Sequence, residues 1–304
     1  MIVWKAHVGK IESMAFAADG QLLATATGGT RTVHLWEPNS GKLVRKLTGN
    51  WPDGRTLGTV KAVVFAPGAP LLAAATDRSV TVWRTDTWEL AADLSGSYAH
   101  ELAFGPGEAP MLAAAESRDT AIWHNAAQPT GDKTRPHDYA CGPRGGVAVL
   151  DFSPDGKLLA ASNCHHAGLW NPATGGRVRQ LNRPSGNHRG AIRFSPDGSV
   201  VALARGKYVE LWPIMGGDQP TSTIVAGTGR HPAIWALGWT AGGQVLMTAG
   251  ADGFVRNWDV STGKELRSFA WGLGKVYCAA FSPDGLTCAA GGESGQVVVW
   301  DVDA

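Results

Sequence analysis

Charged residues are scarce in this chain. Asp, Glu, Lys and Arg make up 17% of its 304 positions, against about 25% in an ordinary soluble domain. The few charges nearly cancel, leaving a formal net charge of +1, and no long basic run occurs. That argues against a partner held through phosphate neutralisation, so no nucleic-acid partner is expected. Cysteine is sparse too: four residues are too few for a disulfide framework. Asn-x-Ser/Thr acceptors are absent, and a reduced, cytoplasmic setting is expected. There is no long apolar run. The stretch from Ala62 to Thr76 is interrupted by two prolines and a glycine, so no membrane helix and no membrane partner are expected. Lys5, His7, Lys10 and Glu12 lie where a secretory leader would need an apolar core. Apolar residues with a helical period are missing throughout.

What is abundant is glycine, at 40 positions, and tryptophan, at 13. A repeat accounts for much of both. Short alternating strands end in Trp36, Trp83, Trp123, Trp170, Trp212, Trp258 and Trp300, at intervals of 40 to 47 residues. Dividing the chain by seven gives roughly 43, inside the 40–45-residue period of propeller repeats. About eighteen residues before each Trp, a strand closes on an aromatic followed by a turn. The series reads Phe-Ser-Pro-Asp-Gly at 152–156, 194–198 and 281–285, and Phe-Ala-Ala-Asp-Gly at 16–20. Looser versions follow Phe65, Phe104 and Trp239. Proline presets a turn dihedral and Asp-Gly supplies a positive φ, so each copy is a hairpin signal. A small-residue strand comes next, then the Trp strand, then a second turn and a fourth strand. Four antiparallel strands repeated seven times bury both sheet faces only by radial stacking. The expected fold is therefore all-β: a closed seven-bladed β-propeller, with residues 1–304 as one domain.

The pattern resembles the WD40-repeat family over essentially the whole chain. Trp258-Asp259 and Trp300-Asp301 are the family dipeptide, and Trp36-Glu37 is a near copy. The resemblance implies that Ile2-Val3-Trp4-Lys5 completes the C-terminal blade as its outer strand. It also implies an internal network of His, Ser/Thr, Asp and Trp. Here that network is partial: His7 stands nine residues before Phe16, and the turn aspartate appears as Asp77 and Asp252. These three are read as structural.

In this family, partner contacts recur at three aligned positions per blade on the top face. Carried over, they include Lys10 and Glu12 in the first blade and Thr59 and Lys61 in the second. Tyr98, His100 and Glu116 follow in the third, His188 and Arg205 in the fifth, Trp235 in the sixth, and Lys275, Tyr277 and Glu293 in the seventh. Trp51 and Trp271 belong to loops expected on the same side. Trp, Tyr and Arg dominate interface hot spots because they bury large area at small entropic cost. The expected function is thus a non-enzymatic interaction scaffold, monomeric and without a cofactor, binding a protein or peptide around Trp235 and Tyr277. Trp239 is expected in the core, Trp4 at the ring closure, and Trp88 in a structural contact.

An alternative of a different class is a small-ligand, metal or hydrolytic site at the central channel or in the fourth-blade loops. Cys164, His165 and His166 in one loop and His137 and Cys141 in another carry zinc-ligating chemistry, but no pair has a finger spacing. Adjacent His165 and His166 point to opposite sides of a strand. They are read as degenerate network positions.

Overall fold

A computed structural model describes residues 1–48, 57–95, 98–116, 120–127, 133–134, 149–162, 166–181, 190–229 and 232–302. These residues form seven four-stranded antiparallel sheets arranged in a ring. The blades begin with strands β2 (Ser13–Phe16), β6 (Val60–Phe65), β10 (Ala99–Phe104), β14 (Val149–Phe152), β18 (Ile192–Phe194), β22 (Ile234–Trp239) and β26 (Val276–Phe281). These innermost strands contact one another around the ring, and β26 meets β2 to close it.

The last blade is completed as the resemblance implied. Strand β1 (Ile2–Lys5) pairs antiparallel with β28 (Gln296–Asp301), with Ile2 opposite Val299 and Lys5 opposite Gln296. The amides of Ala6 and His7 both donate to the Gly295 carbonyl, at 3.0 Å. Trp4 packs on Trp36 of the first blade, with ring centroids 5.9 Å apart, and a Cβ on Gly41 would lie 2.9 Å from its ring. The closing strand is thus clamped against both blades that it joins.

The small-residue strands explain how the blades approach each other. Ala73–Ala75, Ala113–Ala115 and Ala289–Ala290 are fully buried, and Leu and Val from adjoining sheets fill the space beside them. Larger side chains there would hold the sheets apart, because interiors are packed to crystal-like density. Trp239 is buried, and its indole donates to the Arg193 carbonyl of the preceding blade at 3.4 Å. Trp88 takes a positive φ of 61° and meets the Arg45 guanidinium at 5.4 Å.

The Ser-Pro-Asp-Gly turns do two jobs. Within each, serine and aspartate lock the loop: Ser153 Oγ donates to Asp155, the Leu158 amide donates back to Ser153 Oγ, and Gly156 adopts φ +70°. Hydrogen bonds from Ser195 and Ser199 hold Asp197 down at about 2. Between blades, each proline rests on the glycine of the next turn: Pro106 against Gly156, Pro154 against Gly198, Pro196 against Gly243, Pro283 against Gly20. Gly156→Ala places a Cβ 3.1 Å from Pro106 on a left-handed backbone. It is expected to destabilise the protein by about 1–2 kcal/mol, read from urea unfolding.

The first blade carries the polar network. His7 Nε2 and Trp36 Nε1 both meet Thr25 Oγ1 at 2.8 Å, and His7 stacks on His34 with centroids 4.4 Å apart. Burial, reinforced by His34 and Lys46, lowers the His7 pKa to about 4. The unfolded chain therefore takes up a proton near 6.5 that the folded chain refuses until about 4, so this contribution to stability is lost as pH falls through that window. The stability difference between wild type and His7→Gln is expected to shrink from pH 7 to pH 4. Subtracting the variant's denaturation curve removes the effect of other titrating groups.

Candidate functional site

Antiparallel alternation puts the loops from strand two to three and from strand four to one on one end of the ring, here called the top. Among the described residues, four inner strands are bulged at that end. The pairing register shifts between Val60 and Ala62, Ala99 and Glu101, Ile234 and Ala236, and Val276 and Cys278. The unpaired residues are Lys61, His100, Trp235 and Tyr277. A bulge takes one residue out of the ladder and re-aims its side chain. This is the local reason why the position four residues before the strand aromatic faces the top.

Trp235 and Tyr277, on neighbouring blades, stack with centroids 4.9 Å apart and planes within 2°. Lys10 Nζ lies 5.1 Å from the Tyr277 ring centre and 2.7 Å from the Glu12 carboxylate. Ammonium, phenol and indole form a graded row across three blades, each half-buried or exposed. Tyr98 is 65% exposed. Lys275 is half-buried, its carbonyl accepting the Glu293 amide at 2.9 Å, and Glu293 is exposed. Glu116 is half-buried.

Other rim residues are tied into the frame. Arg205 binds Glu210 through Nε at 3.2 Å and Nη2 at 3.0 Å, and Glu210 also accepts Trp212 Nε1 at 3.2 Å. Asp77 Oδ1 accepts the Thr59 amide at 2.8 Å. Asp252 accepts Thr228 and pairs with buried Arg256 at 2.7 Å. Trp271 packs on Phe269 and Trp300, with centroids 4.9 and 4.3 Å away. It meets Trp300 at a tilt of 46°, closer than the edge-on contact of His7 with Trp36 at 6.5 Å. Ala290 stands where Thr25 stands in the first blade, and Trp300 Nε1 has no hydrogen-bond partner. Two stacked rings there replace a polar network. Trp51, His188, His137, Cys141, Cys164 and His165 lie outside the described residues; His166 is exposed. Among the described residues, no three His, Cys, Asp or Glu side chains are grouped as metal ligands. Cys278 and Cys288 are buried free thiols whose ionisation burial pushes up.

A second feature was not anticipated. A cavity of about 280 Å³ lies among the inner strands, lined by Ser13, Val64, Glu101, Arg193, Ala280 and their neighbours. Burial pushes the Glu101 pKa up to about 7 and that of Asp151 to about 6, although the Arg193 guanidinium pulls both down. The sequence held a signal for it. Asp151 and Arg193 precede the strand aromatic in their blades, where other blades have Ala15, Val64, Ala103, Gly238 or Ala280. Carboxyl titration by carbon-detected NMR is expected to place Glu101 near 7, with Glu101→Gln removing that transition.

The family description "WD domain, G-beta repeat" matches residues 1–37, 41–84, 220–259 and 263–301, just over half of the chain. The chain belongs to the WD-repeat family. The match omits 85–219, and the Glu101, Asp151 and Arg193 cluster falls within that span. Among curated relatives, the chain is similar to serine-threonine kinase receptor-associated protein. Identity is 25% with the protein of Gallus gallus, over 54% of this chain and 45% of that protein. For the Homo sapiens protein it is 27%, over 50% and 41%. Telomerase protein component 1 of Rattus norvegicus is 24% identical over 98% of this chain but 13% of its own length. These alignments span less than half the length of the relatives. No helix among the described residues is long and apolar enough to cross a membrane.

Proposed function

We propose that this WD-repeat protein is a non-enzymatic scaffold that docks a protein or peptide on the top face of its ring, with Trp235 and Tyr277 at the centre. The stacked pair on two bulged strands carries the reading. The bulges and the contact between the rings preorganise a large amphipathic surface, so little side-chain freedom remains to be lost on binding. Lys10, Glu12, Lys61, Lys275, Glu293 and Tyr98 supply a polar rim of mixed sign around it, the arrangement of a hot spot within a polar border. Arg205 and Trp271 brace the rim from within, and Glu116 extends it toward Tyr98. The name of the receptor-associated relatives agrees with an interaction role. The near-neutral charge does not suit a partner held through phosphates, whether nucleic acid or a membrane surface, and the sparse cysteines suit the cytoplasm.

Peptides selected from a display library on the native protein are expected to lose about 2 kcal/mol or more of affinity to Trp235→Ala. Leu286→Ser, in a turn at the opposite end of the ring, is expected to leave affinity unchanged. Equal binding to wild type and to a Trp235→Ala/Tyr277→Ala double variant, both with native circular dichroism, would overturn the assignment.

A further inference from the structure

The cavity among the inner strands has two unlike walls. On one side stand Glu101 and Arg193, with Asp151 on the blade between them; on the other are Val64, Leu237, Ala279 and Ala280. The charged wall is not balanced. Asp151 is satisfied by the Phe194 amide at 2.8 Å and by the Phe152 amide. Arg193 donates to the Ile192 carbonyl at 2.8 Å and acts electrostatically on both carboxylates. Glu101 lines the cavity with no hydrogen-bond donor bound to it among the described residues. Two carboxylates face one guanidinium, and the surplus negative charge sits in the cavity at Glu101.

Glu101 is half-buried, and a charge drawn partly out of water without a partner is costly. It is relieved by taking up a proton or by pairing with a cation. Burial pushes Glu101 up to about 7, so above that pH the proton is no longer held and the deficit is open. The neutral side chains decide what kind of cation fits. Calcium or magnesium needs about six or more oxygen ligands, whereas Glu101 is the one carboxylate in the lining, Ser13 Oγ is already engaged by the Val63 amide at 3.1 Å, and the other lining side chains carry no oxygen. An ammonium head with a short alkyl tail satisfies both walls.

We propose that the central cavity binds a small primary alkylammonium, its head paired with Glu101 and its tail against the apolar wall of Val64, Leu237 and Ala280. This site is separate from the docking face and does not depend on that reading. Its charged wall belongs to the blades that the family description does not match.

The test uses n-butylammonium chloride at pH 8, with n-butanol, sodium butyrate and potassium chloride as controls. Binding is read by calorimetry and by the shift in melting temperature. Butylammonium alone is expected to give saturable one-to-one heat and a raised melting temperature. Glu101→Gln, which keeps the shape and removes the unpaired charge, is expected to fold normally and to weaken binding about tenfold or more. Ala15→Leu, which fills the cavity without altering its charge, is expected to weaken binding as well. An equal effect from potassium or butanol would overturn the proposal. So would unchanged affinity in folded Glu101→Gln, or in folded Ala15→Leu should that variant be obtained.

Discussion

Every blade of this ring depends on having a neighbour on both sides. Its second and third strands are built of alanine and branched aliphatics that are fully buried, so neither face of any sheet tolerates water. An open row of such sheets would leave two apolar faces uncovered, and an open sheet edge invites further pairing. The pairing of Ile2–Lys5 with Gln296–Val299 resolves this by tying the first blade to the last. Trp4 then spans the join to Trp36. Around the base, proline-on-glycine contacts between successive turns repeat the same tie on a smaller scale.

Within that frame, the blades hold their tryptophans by different means. The first uses His7 and Thr25, the fifth uses Glu210 and Arg205, and the sixth uses Thr248, which accepts Trp258 Nε1 at 2.9 Å. The seventh uses Trp271 in place of any polar partner. Each solution keeps the indole buried, and the substitutions change what is left over. In the seventh blade an aromatic is drawn down from the loop into the frame. Trp235 and Tyr277 stay at the surface because their strands are bulged there.

Much of the fold was legible because it rests on local chemistry repeated seven times. The Phe-Ser-Pro-Asp-Gly turns, the alternating strands before each Trp and the small-residue strands are one-dimensional signals, and copies reinforce one another. The closing strand was legible from the resemblance. The rim was legible position by position, since Lys10, Trp235 and Tyr277 were each placed at the top by alignment. Their mutual arrangement was not. Blades adjacent in space bring together residues some forty or, across the join, more than 260 positions apart. Trp271 and Arg205 read as rim residues by position, yet both are engaged with the frame, because their partners Trp300 and Glu210 are set by packing between strands.

The sequence by itself determined the number of blades, the strand order within each and the end of the ring at which the variable loops open. Those follow from period, alternation and turn chemistry, all of which act over a few residues. Only the tertiary structure decided that Trp235 and Tyr277 stack, that Lys10 completes the row, and that Glu101 and Arg193 line one cavity. Each of those depends on distances between blades. Such distances are fixed by how closely the buried alanine strands let neighbouring sheets approach, which no single repeat contains.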